Sequence, residues 1–292
     1  MKSCKPIYEF IVWENCNNHC QFCFQRENPK IFNQLGRANA LESVLNFVNS
    51  DKFIFGSHIL IVGGEIFHLT HHIDQSCIKA FYHLMIEHMK SGRVDLLYFN
   101  TNLIYTYTGL LDEVLQEIKE NNLLNRVRFT TSYDLVGRFA TPQAEYDFLF
   151  NLHYFRNKYP DLHMVVNTIL TKSVCQKIIN KEISIKELME DFGCWINLIP
   201  YIVYNEELSA SRNEIFTALR TVEDEINGYL KQYIENLDLD QDKFVYINNN
   251  GNFELCKSEE NECGHSINFT RYSTKGSCYI CDIKELFSGS IC

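Results

Sequence analysis

Apolar segments of seven or eight residues recur along the first 200 residues of the chain, and most are followed by an amphipathic stretch. The apolar segments are rich in β-branched and aromatic residues and show little alternation, as strands buried on both faces should. We therefore predict six strands, at residues 7–13, 58–64, 95–101, 126–132, 163–170 and 194–200.

The amphipathic stretches carry apolar residues at steps of three and four, which is the period of a helix with one buried face. They predict helices at residues 40–50, 74–90, 110–124, 144–159 and 184–193. Ser184 and Glu187 form a capping-box pattern at the start of the last helix. Strands that alternate with helices imply a parallel sheet, and a closed barrel would need eight units. The six units found here predict an α/β fold, a partial (β/α)6 TIM-like barrel that is open along one side.

The chain changes character after the predicted barrel. Residues 211–237 have one apolar stripe at helical spacing, and a polar segment follows them. The sequence from residue 244 to 258 alternates, turns at Asn-Asn-Gly and alternates again, which predicts a β-hairpin. We therefore divide the chain into a barrel (1–205), a helical linker (206–240) and a small cysteine-rich module (241–292).

The composition of the chain indicates its cellular compartment and excludes some classes of partner. The chain has 292 residues, twelve cysteines and a formal net charge of −10. The N-terminus lacks the apolar stretch of a secretory signal, and no apolar run is long enough to cross a bilayer. We expect a cytoplasmic protein without membrane association, whose cysteines are metal ligands rather than the disulfides of a secreted chain. The acidic charge argues against a nonspecific nucleic-acid binder, which would need a basic surface.

Three cysteines, Cys16, Cys20 and Cys23, follow the first predicted strand with the spacing C-x-x-x-C-x-x-C. Three thiolates this close can bind one face of an iron–sulfur cube, because each sulfur reaches a different iron. The fourth iron would then be free to bind a small molecule. A zinc ion that uses a distant fourth ligand, such as His19, is the alternative.

This spacing, with the aromatic Phe22 directly before the last cysteine, resembles the signature of the radical S-adenosylmethionine (radical SAM) superfamily. The resemblance implies a 4Fe-4S cluster on Cys16, Cys20 and Cys23, whose open iron binds the amino and carboxylate groups of S-adenosyl-L-methionine. It also implies that the reduced cluster cleaves this cofactor to a 5′-deoxyadenosyl radical, which takes a hydrogen atom from the substrate. An electron donor such as flavodoxin or ferredoxin is then an expected partner.

Further residues match the superfamily at the ends of the second and third strands. Gly63, Gly64 and Glu65 resemble its GGE-type motif, which binds the amino group of the methionyl moiety; a tight turn is the alternative explanation. Thr101 and Asn102 resemble the Thr-Asn found at the third strand end, and a turn or helix cap would explain them equally well.

The remaining strand ends carry weaker matches. Ser132 and Asp134 resemble an S-x-D segment that meets the ribose of the cofactor, and Arg138 resembles an arginine of peptide-modifying members, although a lone arginine is usually solvated. Asn167 lies in the fifth strand, where it could reach the sugar or the carboxylate. Pro200 ends the sixth strand, where the family often contacts adenine. All of these residues are expected to bind the cofactor.

The C-terminal cysteines resemble the SPASM/twitch modules that are appended to radical SAM enzymes. Cys256, Cys263, Cys278 and Cys281 would supply four thiolates, enough for a second, auxiliary iron–sulfur cluster, and Cys292 is a reserve ligand. A zinc ribbon is the alternative. A full SPASM module has more cysteines, so the shorter twitch form is the better match.

The resemblance favours an enzyme that modifies a peptide or protein. A radical SAM dehydrogenase, or an enzyme that modifies a nucleotide or another small molecule, is the alternative within the superfamily. A noncatalytic, zinc-stabilised binding protein is the alternative from another class. No residue in the sequence is identified as a catalytic acid or base.

Overall fold

The computed structural model describes residues 6–23, 31–68, 72–106, 109–134, 136–201, 207–238, 242–247 and 253–257. Strands and helices alternate through most of this part of the chain. In chain order they are β1 (Ile7–Ile11), α1 (Gln34–Asn49), β2 (Ser57–Val62), α2 (His72–Lys90), β3 (Val94–Asn100), α3 (Gly109–Glu120), β4 (Val127–Ser132), α4 (Pro142–Lys158), β5 (His163–Leu170), α5 (Lys172–Ile179), α6 (Ile185–Phe192), β6 (Trp195–Pro200), α7 (Arg212–Glu225), α8 (Tyr229–Asp238), β7 (Asp242–Ile247) and β8 (Phe253–Lys257).

All eight strands form one sheet, in the order β6-β5-β4-β3-β2-β1-β7-β8. The first six strands are neighbours in the order of the chain and pair in parallel, which confirms the predicted α/β fold with a parallel sheet. The carboxyl ends of these strands lie at one edge of the sheet, so the loops that follow them are brought together. This edge holds most of the residues singled out in the sequence.

The later strands were expected to be buried on both faces, but only one face of each is fully buried. In β4, β5 and β6, buried residues alternate with partly exposed ones. In β4, for example, Phe129 and Thr131 are fully buried, whereas Thr130 and Ser132 keep some exposure. One face of the sheet therefore packs on the helices and the other stays partly accessible, which leaves space for a ligand near the strand ends.

Two helical features were not predicted. The short helix α5 directly follows β5, and Thr171 caps it by accepting a hydrogen bond from the backbone N–H of Val174. The region predicted as one helix over residues 211–237 is divided into α7 and α8. Gly228, at the break, has a φ of +85°, a conformation that glycine adopts without steric cost. At α6, Ser184 accepts from the N–H of Glu187 as the capping pattern requires.

The predicted C-terminal hairpin is present as β7 and β8, which pair antiparallel. β7 also pairs in parallel with β1, so the hairpin extends the main sheet at its β1 edge. The division of the chain into three units stays a prediction, and residues 258–292 lie outside the described residues. In the part of the chain that is described, each helix is too short or too polar to cross a bilayer.

Candidate functional site

A cavity of about 340 Å³ opens at the carboxyl ends of the strands. Nine of the residues predicted to bind the cluster or the cofactor line it. They are Cys16, Cys20, Cys23, Gly63, Gly64, Thr101, Asn102, Ser132 and Arg138. They come from the loops or strand ends that follow β1, β2, β3 and β4, four neighbouring strands of the sheet. The cavity therefore unites residues that are separated by more than a hundred positions in the sequence.

The double-glycine turn after β2 packs directly on the chain that leads into the cysteine loop. The N–H of Gly64 donates to the carbonyl oxygen of Trp13 over 2.8 Å, and the N–H of Glu65 donates to that of Asn15 over 2.8 Å. A Cβ on Gly64 would lie only 1.9 Å from the Asn15 oxygen. The glycines are therefore required for the approach of another backbone, and this contact fixes the start of the cysteine loop against β2.

Glu65 is buried and does not line the cavity. Its carboxylate accepts from the N–H of Phe67 at 3.0 Å, from Thr101 Oγ1 at 3.0 Å and from the N–H of Asn102 at 2.5 Å. The carboxylate thus joins the loop after β2 to the loop after β3. In this structure Glu65 is a positioning residue, and direct contact with the cofactor stays a prediction.

Burial raises the pKa of Glu65 from its ordinary value of 4.5 to about 7, against the opposing effect of its hydrogen bonds. The folded chain then holds a proton that the unfolded chain releases between these two values, so stability falls as pH rises through this interval. We expect this carboxyl group to lower the free energy of unfolding of the metal-free protein by about 2.5 kcal/mol between pH 5 and 8, at 1.36 kcal/mol per pKa unit.

Urea unfolding across this pH range measures the effect, and Glu65→Gln is the matched control, because its amide does not titrate. The difference in free energy between the wild-type protein and the variant should show the slope. Parallel curves for the two proteins would contradict a raised pKa at Glu65.

Asn102 connects the loop after β3 to the cysteine loop. Its Nδ2 lies 3.6 Å from Cys16 Sγ and donates to Asn17 Oδ1 over 2.8 Å. Its Oδ1 accepts from the N–H of Ile104 at 2.7 Å, which orients the side chain. Asn17 in turn donates to the carbonyl oxygen of Ile104. The Thr-Asn pair therefore connects the loop after β3 to the cysteine loop, and the amide of Asn102 contacts the sulfur of Cys16.

Arg138 lies on the β4 side of the cysteine loop and is almost fully buried. Its Nη1 is 4.0 Å from Cys20 Sγ and 3.4 Å from Asp134 Oδ2. Asp134 also accepts from the N–H of Ile169 at 2.5 Å and does not line the cavity. The arginine is therefore an internal cation between a carboxylate and a thiol, not a solvated residue.

Asn18 contacts two of the three cysteines and was not predicted. Its Nδ2 donates to Cys20 Sγ over 3.1 Å and to the carbonyl oxygen of Arg138 over 3.2 Å. Its N–H donates to Cys16 Sγ over 3.4 Å. The other lining residues that sequence analysis did not assign to the cofactor are Glu14, His19, Phe22, Ile31, Asn100 and Ile169.

At two of the three cysteines, Cys16 and Cys20, the surroundings favour the protonated thiol in the absence of a metal. The cavity wall keeps some water away from Cys16, although its side chain is exposed, and so raises the pKa of this thiol. Burial raises the pKa of Cys20 to about 11, although the nearby Arg138 opposes the change. A metal that binds thiolate would displace these protons, so its affinity should increase with pH. Six cysteines of the described residues are free thiols: Cys16, Cys20, Cys23, Cys77, Cys175 and Cys194.

Within the described ranges, no three His, Cys, Asp or Glu side chains lie close enough together to hold a single metal ion. A cube places each cysteine on a different iron, so its ligands stand farther apart than those of one ion. Three soft thiol donors on one cavity wall, with N–H groups directed at two of the sulfurs, fit an iron–sulfur cluster in their chemistry.

Other predicted residues lie away from the cavity wall or outside the description. Asn167 is paired in register with Ser132 and accepts from Asn197 at 3.4 Å, and Pro200 is buried at the end of β6. Neither lines the cavity. Cys256 belongs to β8, opposite Phe244. Cys263, Cys278, Cys281 and Cys292 lie outside the described residues.

A scan of the chain against models of known protein families found no match, and a search of curated proteins found none either. The geometry of the cavity is therefore the basis for a functional proposal.

Proposed function

We propose that this protein is a radical SAM enzyme built on a partial barrel, in which Cys16, Cys20 and Cys23 hold a 4Fe-4S cluster. The observation that carries the proposal is the shared cavity. The three thiols line the same cavity as the glycine turn after β2 and the polar ends of β3 and β4. When bound, the cluster would supply one electron to split S-adenosyl-L-methionine, and the radical produced would remove a hydrogen atom from the substrate.

The residues of the chain have distinct parts in this proposal. Gly63 and Gly64, after β2, and Ser132, at the end of β4, line the cavity and would contact the cofactor. Phe22 and Ile169 add apolar surface, which favours the exclusion of water from a reactive intermediate. These residues bind and orient the reactants, and the cofactor supplies the chemistry.

The substrate class and the partners complete the proposal. We propose a peptide or protein as the substrate, because the C-terminal cysteines resemble modules found in peptide-modifying enzymes. A small molecule is the alternative substrate. Cys256, Cys263, Cys278 and Cys281 would bind an auxiliary cluster, or zinc. An electron donor such as flavodoxin or ferredoxin, and a cytoplasmic location with reduced thiols, follow from the same chemistry.

Anaerobic purification tests the proposal. We expect a brown protein that contains iron and sulfide and that releases 5′-deoxyadenosine from S-adenosyl-L-methionine after reduction with dithionite. Colourless protein with stoichiometric zinc, and without iron after reconstitution, would instead support the noncatalytic binding protein.

A further inference from the structure

We infer that Arg138, assisted by Asn18 and Asn102, raises the reduction potential of the cluster that Cys16 and Cys20 hold. The inference rests on the proposed function and deepens it, because it assigns to these side chains a role at the sulfurs. Hydrogen bonds to cysteine sulfurs and nearby charge are among the features of a protein that set the potential of an iron–sulfur cluster.

The donors converge on two sulfurs from three separate places in the chain. Cys20 Sγ is contacted by Asn18 Nδ2 at 3.1 Å and by Arg138 Nη1 at 4.0 Å. Cys16 Sγ is contacted by the N–H of Asn18 at 3.4 Å and by Asn102 Nδ2 at 3.6 Å. Each donor stabilises negative charge on sulfur, and the reduced cluster carries one more negative charge than the oxidised cluster.

Arg138 should contribute most, because it is the only cation among these three donors and is almost fully buried. A charge in a buried site is poorly screened by water and salt. Asp134 holds the guanidinium in place but shares its own negative charge with the N–H of Ile169. Asp134 accepts from Nη1 of Arg138, whereas Nε of Arg138 has no hydrogen-bond partner within the described part of the chain. The guanidinium group therefore keeps a donor that Asp134 does not occupy.

The three donors also share a framework that keeps them in place. Asn18 Nδ2 donates to the carbonyl oxygen of Arg138, and the N–H of Gln21 donates to that of Gly137 over 3.0 Å. The carboxylate of Glu65 accepts a hydrogen bond from the N–H of Asn102 and so fixes the loop after β3. The cysteine loop is therefore clamped between the loops after β3 and β4, with N–H groups facing two of its sulfurs.

A redox titration of the reconstituted full-length protein tests the inference. Titanium(III) citrate supplies one electron per cluster and becomes titanium(IV), and electron paramagnetic resonance follows the reduced cluster. The signal that is missing from a Cys16→Ala/Cys20→Ala/Cys23→Ala variant identifies the cluster of interest. Arg138→Gln should lower its midpoint potential by about 59 mV, which is a tenfold change in a one-electron equilibrium.

Further variants separate the role in potential from a structural role. Arg138→Lys keeps the charge and should retain most of the potential, whereas Asn18→Ala should lower it by a smaller amount while leaving Arg138 in place. Arg156→Gln is the matched control: Arg156 donates to the carbonyl oxygens of Gly193 and Pro160, before β6 and β5, at the opposite end of the strands. Its midpoint potential should equal that of the wild-type protein.

The outcomes distinguish this inference from the proposed function. A cluster that forms with the same midpoint potential in Arg138→Gln and Asn18→Ala as in the wild-type protein overturns the inference and leaves the proposed function in place. A wild-type protein that takes up no iron on reconstitution overturns both. Should Arg138→Gln fail to fold, which its melting curve would show, Asn18→Ala still decides whether the donors at the sulfurs set the potential.

Discussion

Replacement of Cys16, Cys20 and Cys23 together with Ala is expected to reduce cleavage of S-adenosyl-L-methionine to the level of buffer. In the proposed function these three thiolates hold the cube in the cavity at the ends of β1 to β4. Iron content should fall by about four atoms per chain, and iron bound by the C-terminal cysteines should be retained. Anaerobic reconstitution, iron analysis and chromatography of 5′-deoxyadenosine measure these results.

The fold should tolerate this change. Cys16 is exposed, and Cys20 and Cys23 are only partly buried, so their loss removes little packing. We expect the free energy of unfolding of the metal-free variant to lie within about 1 kcal/mol of the wild-type value. Circular dichroism and urea unfolding check that the loss of activity is not a loss of structure.

Cys194→Ala provides the matched control for the triple variant. Cys194 directly precedes β6, at the amino end of the strands and away from the cavity. Its removal should leave the iron content and the cleavage of the cofactor unchanged. Wild-type activity in the triple variant, or equal iron loss in Cys194→Ala, would contradict the assignment of the ligands.

The parallel α/β fold could be predicted because each of its units has a local signal. The pattern of apolar residues within a single segment is enough to predict a buried strand or a helix with one apolar face. The pairing of β7 with β1 could not be predicted, because it joins segments more than 200 residues apart and depends on which sheet edge is free. The short α5 was missed, whereas α6, which is also eight residues long, was predicted, because only α6 has a capping-box pattern at its start.

The site was predictable in its residue types but not in the contacts that they make. The sequence places Glu65, Asp134 and Arg138 at strand ends, and the parallel sheet brings these ends together. Packing then decides which side chains face the cavity: Arg138 does, whereas Glu65 and Asp134 are buried and satisfied by backbone N–H groups. Asn18 lies within the cysteine motif, but its spacing alone does not show that its amide contacts sulfur.

Gly64→Ala is expected to destabilise the protein by about 3 to 5 kcal/mol and to prevent assembly of the cluster. The added Cβ would lie 1.9 Å from the carbonyl oxygen of Asn15 and 2.8 Å from the carbonyl carbon of Glu14. Both neighbours are backbone atoms, so rotation of a side chain cannot relieve the overlap. The turn after β2 must then separate from the cysteine loop, which breaks the hydrogen bond from the N–H of Glu65 to Asn15.

Gly228→Ala is the comparison that separates this overlap from a general effect of replacing glycine. Gly228 has a φ of +85°, and a Cβ there would meet no atom of the described residues within 4 Å. Its replacement should cost about 1 to 2 kcal/mol through backbone strain alone, and the iron content should be unchanged. Thermal unfolding and iron analysis of the two variants, measured side by side, test the difference. A Gly64→Ala protein that binds iron as the wild-type protein does would show that the contact between the glycine turn and the chain before Cys16 is not needed to hold the ligands in place.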